Sequence, residues 1–113
     1  MRQIKFRAWT NTEMTTSDKY ESMSEFWYDC KDCKIMQFTG LLDKNGKEIY
    51  EGDIVFDEDG EFSKTCKIEW HNENAQFVGV DIDGLGGFQM EEIDGEIIGN
   101  IYENPELLSN QTT

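Results

Sequence analysis

Apolar residues fall at every second position along much of the chain. Near the start, Ile4, Phe6 and Ala8 alternate with Lys5, Arg7 and Trp9, and a short apolar run follows at Ile35-Met36-Gln37-Phe38. Ile54 and Phe56 share one face of the next candidate strand, with Asp53, Val55 and Asp57 on the other. Cys66, Ile68 and Trp70 alternate with Lys67, Glu69 and His71, and then Val78, Val80 and Ile82 with Phe77, Gly79 and Asp81. Period two marks strands, whose side chains point alternately to the two faces of a sheet. The run from Ile97 to Tyr102 is apolar on both faces, which predicts a central strand.

Turn signals separate these runs. Asn45-Gly46 within Asp43–Lys47 suits the positive φ angles of a tight turn, and Asp57-Glu58-Asp59-Gly60 and Gly84-Leu85-Gly86-Gly87 repeat the signal. Asn104-Pro105 reads as an N-cap with Pro at the first helical position, so a short helical turn follows. Residues 10–25 are polar and without period, and residues 10–34 are expected to form a loop or arm; residues 109–113 form a polar tail. Residue choice agrees: ten Ile, eight Thr and fourteen aromatics stand against two Ala and five Leu, which favours sheet over helix. The expectation is one mainly β domain over residues 1–113. Residues 1–9 supply an N-terminal strand, and 35–108 a small, partly open SH3-like barrel or curled antiparallel sheet.

Composition narrows the class. With 113 residues the chain holds one domain and a modest core. It contains no apolar run long enough to span a membrane and no secretory leader pattern. Three cysteines fit a reducing cytoplasm better than a disulfide framework. The net charge of −14 is unevenly placed, since residues 1–47 sum to +1 and residues 48–113 to −15. So negative a surface repels phosphate backbones, which disfavours direct nucleic-acid binding despite the basic–aromatic stripe of Lys5, Arg7 and Trp9.

Three blocks, taken together, resemble the YopX family of small phage- and prophage-encoded proteins. They are Arg2-Gln3-Ile4-Lys5-Phe6-Arg7-Ala8-Trp9, then Met36 through Val55 around Asp43-Lys44-Asn45-Gly46-Lys47, and finally Ile98 through Leu107. The resemblance implies a largely β protein made in the bacterial cytoplasm, with no assigned enzymatic activity or catalytic residues. Within the middle block, Gly40 and Gly52 flank the Asn-Gly turn. Gly52 there admits a close backbone approach, and its acidic neighbours Glu51 and Asp53 are expected to stay in solvent.

Candidate chemistry is thin. Cys30-Lys31-Asp32-Cys33 has metal-knuckle spacing, and Cys66 with His71 would complete a Cys3His zinc set. On a strand, however, Cys66 and His71 point to opposite faces, so Cys66 reads more plainly as a buried free thiol. A catalytic CxxC redox pair lacks the βαβ context such motifs use. Asp81 through Glu92 imitates part of a calcium loop, but Leu85 sits where an oxygen ligand belongs and strands flank it. His71 is the only histidine, with no nucleophile elbow beside it. No enzyme, cofactor or metal is therefore expected.

What remains is a binding module. It would dock a host or phage protein, or a second copy of itself as a homo-oligomer, through exposed apolar surface and sheet edges. Phe56, Phe62, Phe77, Phe88, Trp27 and Tyr28 are more aromatics than one small core hides. Trp9, Asp57, Asp59, Glu61 and Phe62 mark a candidate surface. An acidic mimic of DNA directed at a host DNA-handling protein is the alternative, and a small-ligand or metal-binding domain stands behind it.

Overall fold

A computed structural model describes residues 4–59, 62–73, 75–82, 87–89 and 94–108. Among them the period-two segments form antiparallel strands in two sheets, curled into a half-barrel. The first sheet runs β2 (Met14–Thr16), β1 (Phe6–Trp9), β3 (Lys34–Leu42), β4 (Glu48–Tyr50). The second runs β8 (Gly87–Gln89), β7 (Gln76–Asp81), β6 (Phe62–His71), β5 (Asp53–Asp59), β9 (Glu96–Asn100). Strand β3 is shared along its length: Lys34 to Gln37 pair with β1, and Phe38 and Leu42 pair with β4 across a register shift. That irregularity bends the strand and turns the sheet.

Among the described residues, two apolar clusters lie in the interior. Ile49, Val55, Ile68 and Phe77 form one, with Ile97 packed on its edge. Ala8, Phe26 and Cys30 form the other, flanked by Phe6, Tyr20, Cys33 and Ile35. The second cluster exists because residues 10–34 are not one loop. They contain β2, a 3-10 turn at Ser17–Lys19 and the helix α1 (Met23–Asp29), whose Phe26 is fully buried.

Three sequence expectations change. Strand β9 lies at a sheet edge rather than in the centre, so Ile97 packs inward while Ile98 is 41 % exposed. The expected C-terminal helical turn forms at Pro105–Leu108 as a 3-10 turn with Pro at its first position, but the Asn104 side chain accepts from the Asn100 N–H instead of capping it. Asp53 is buried, for reasons given below. The calcium-like segment lies mostly outside the described residues; of its described parts Asp81 ends β7, Ile82 is in the turn after it and residues 87–89 form β8, which pairs antiparallel with β7.

Gly52 fastens the two sheets. Its N–H donates to the Ile68 carbonyl at 2.8 Å, and its carbonyl accepts from the Ile101 N–H at 2.9 Å. Its φ is +91°, and a Cβ there would lie 3.1 Å from the Met36 sulfur. Met36 is itself buried, so the left-handed backbone strain is joined by a tight contact with its thioether. Gly52→Ala is expected to cost about 1–2 kcal/mol, read as a lower urea midpoint with an unchanged m-value.

Candidate interaction surface

Helix α1 begins where Ser22 accepts from the Glu25 N–H at 3.2 Å, while the Glu25 carboxylate accepts from the Glu21 N–H at 3.3 Å. These two bonds start a helix only seven residues long. Residues four apart lie on one face of a helix, and α1 has two apolar pairs at that spacing. Phe26 with Cys30, at its C-cap, turns inward and is 0 % and 2 % exposed. Met23 with Trp27 turns outward at 38 % and 41 %, beside Tyr28 at 74 %. The Trp27 ring is held by Phe6, 5.0 Å away, and by Phe26 at 5.6 Å. Lys31 Nζ lies 5.0 Å from the Tyr28 ring centroid. A fixed tryptophan with one face in solvent is a preorganised contact surface, because little side-chain freedom is left to lose on binding.

The surface predicted from sequence is placed differently. Trp9 is half-buried, stacked on Tyr102 at 6.3 Å and 12°. Asp57 is 3 % exposed; it accepts from the Asp94 N–H at 3.0 Å and has Lys64 Nζ at 4.0 Å, so it is an interior residue. Asp59 and Phe62 pair at the end of the β5–β6 hairpin, with side chains outside the described set, as is Glu61 altogether. The basic stripe is engaged inside the fold. Lys5 pairs with Glu48 and with Asp18 at 3.3 Å, and Arg7 is 8 % exposed.

Arg7 and Asp53 join the sheets. Arg7 Nη2 donates to Asp53 Oδ1 at 2.8 Å, and the Tyr50 N–H donates to Asp53 Oδ2 at 2.7 Å. The guanidinium also lies 4.8 Å from the Tyr50 ring centroid, and among the described residues its buried Nε has no hydrogen-bond partner. Burial pushes the Asp53 carboxyl above its ordinary value, against the opposing pull of Arg7 and the Tyr50 N–H. Burial and nearby Glu48 push the Tyr50 phenol up to about 12. A cleft of about 390 Å³ opens over this pair, with Lys47, Asn100 and Glu103 at its walls. Its acids are bound within the chain, Glu48 to Lys5 and Glu103 Oε1 to Asn100 Nδ2 at 2.7 Å. A second cleft of about 290 Å³ is lined by Met36, Ile101, Tyr102 and Trp70. His71 lines neither cleft; its Nε2 lies 3.3 Å from Glu69 Oε1.

The zinc set does not assemble. Cys30 and Cys33 pack beside α1, whereas Cys66 is fully buried in β6, opposite Val55 and Asp81. Among the described residues no group of three or more His, Cys, Asp or Glu side chains is placed to hold a metal ion, and no helix is long and apolar enough to cross a membrane.

Comparison with known proteins identifies a family and a similar solved structure. The family model for YopX protein matches residues 10–109. The crystal structure of protein EF1440 from Enterococcus faecalis superposes with a TM-score of 0.62 at 28 % identity, covering 96 % of this chain and 99 % of that one. Among proteins with curated descriptions, none matches the chain.

Proposed function

The chain belongs to the YopX protein family, and from that premise we propose that it is a non-enzymatic, phage-type binding module whose outer α1 face docks a protein partner in the bacterial cytoplasm. The observation that carries this reading is the exposed Met23–Trp27 pair beside Tyr28, on a helix whose other apolar pair already fills the core. Charge placement supports it. Helix α1 carries Glu25 and Asp29 with Lys31 just beyond its end, a small local charge beside the −15 of residues 48–113, so an apolar contact there meets little repulsion. The −14 of the whole chain weighs against a second copy as the occupant and favours a different protein. Finding Asp57 in the interior removes one of the carboxylates on which the DNA-mimic alternative rests.

The double variant Met23→Gln/Tyr28→Ser tests the proposal by affinity capture from nuclease-treated host lysate. These exposed positions should change stability by no more than about 0.5 kcal/mol each. Recovery of the partner retained by wild type through a high-salt wash should fall about tenfold or more. Equal recovery by both proteins would move the docking face elsewhere.

A further inference from the structure

Cys30 and Cys33 take no part in the outer α1 face. Cys30 caps the C-terminus of α1 and packs with Ala8 and Phe26. The Cys33 N–H donates to the Cys30 carbonyl at 3.0 Å, closing a turn over Lys31 and Asp32. Such a turn holds its first and last Cα atoms within about 7 Å, and a disulfide accepts Cα separations of about 4.4–6.8 Å. Both side chains contribute to one apolar cluster, Cys30 at 2 % exposure and Cys33 half-exposed at its margin. One thiol is therefore reachable from solvent while its neighbour waits behind it.

We propose that Cys30 and Cys33 form a dithiol site that reacts with a low-molecular-weight disulfide, of which oxidised glutathione is the probe, and closes to an intramolecular disulfide. The Cys33 thiolate attacks one glutathione sulfur, the S–S bond breaks, and one glutathione thiolate leaves. The Cys30 thiolate then attacks the Cys33 sulfur of the mixed disulfide and expels the second glutathione. Two protein thiols give up two protons and two electrons, and oxidised glutathione becomes two reduced thiols. Burial, and then the neighbouring Cys30, push the Cys33 thiol above its ordinary value. The thiolate is the nucleophile, so the rate rises with pH, roughly tenfold per unit below that pKa. Cys66 is the internal control: it is fully buried and its thiol is pushed up to about 11.

The folded, reduced full chain is mixed with oxidised glutathione and followed by intact mass and peptide mapping. Wild type should lose two hydrogens, retain no glutathione and show one Cys30–Cys33 linkage. Cys30→Ser should stall with one glutathione on Cys33, Cys33→Ser should react about tenfold more slowly or less, and Cys66→Ser should match wild type. Persistence of both thiols in wild type, a stable glutathione adduct on its Cys33, or reaction of Cys66 at a comparable rate would overturn the proposal. The wild-type result decides the matter even where a variant folds poorly.

Discussion

Replacing Asp53 by Asn is expected to destabilise the protein by about 3–5 kcal/mol, the usual result of breaking a buried ion pair at one partner. Both Asp53 oxygens accept hydrogen bonds, one from Arg7 Nη2 and one from the Tyr50 N–H. An amide has one acceptor oxygen, so its NH2 would face a donor on one side or the other. Arg7 would keep its charge in a site where its Nε already lacks a partner among the described residues. The double variant Arg7→Met/Asp53→Asn removes that stranded cation and leaves the amide oxygen for the Tyr50 N–H. It should therefore lie closer to wild type than Asp53→Asn alone. Urea denaturation of the three proteins measures this, and a loss below about 1 kcal/mol for the single variant would show that the pair does not hold the sheets together.

The second large effect is at Asp43, which is 7 % exposed. Its Oδ1 accepts from the Asn45 and Lys47 N–H groups at 2.8 and 2.9 Å, and its Oδ2 from the Ile97 N–H at 3.0 Å. One carboxylate thus shapes the β3–β4 turn and ties it to β9 in the other sheet. Asp43→Ala should cost about 2–3 kcal/mol, near 1 kcal/mol for each lost bond. The effect should depend on pH with a definite sign. Burial pushes this carboxyl up, but the three N–H donors together pull it further down, to a net value below its ordinary 3.8. Its stabilisation is then complete above pH 3.8 and is lost as pH falls through the lower folded value. The gap between wild type and Asp43→Ala should be constant at neutral pH and narrow in acid below about pH 4. A gap that widened in acid would contradict the assignment.

The sheets were legible because alternation survives in short strands, and Asn45-Gly46 located the β3–β4 turn, where Gly46 has φ +85°. Helix α1 was not, because the polar composition of residues 10–25 masks it. The usable signal was Ser22 followed three residues later by Glu25, just ahead of Phe26 and Cys30 at helical spacing. Asp53 and Asp57 were misplaced although alternation puts both on the face of Val55. Val55 and Ile54 are both fully buried, so each face of β5 is covered and the acids go inside with Val55. One partner of each lies far off in sequence: Arg7 is in β1, and Asp94 precedes β9. No local pattern announces such pairs. Cys66 was legible as a buried free thiol because it alternates with Ile68 and Trp70 on one strand.

The salt dependence of partner affinity tests the docking proposal most directly. An apolar contact through Met23, Trp27 and Tyr28 predicts a Kd that changes by no more than about threefold between low salt and molar salt, because screening acts on charges and not on buried apolar area. A Kd that rises by orders of magnitude over that range, with duplex DNA competing for the partner, would contradict it and place recognition on the acidic half of the chain.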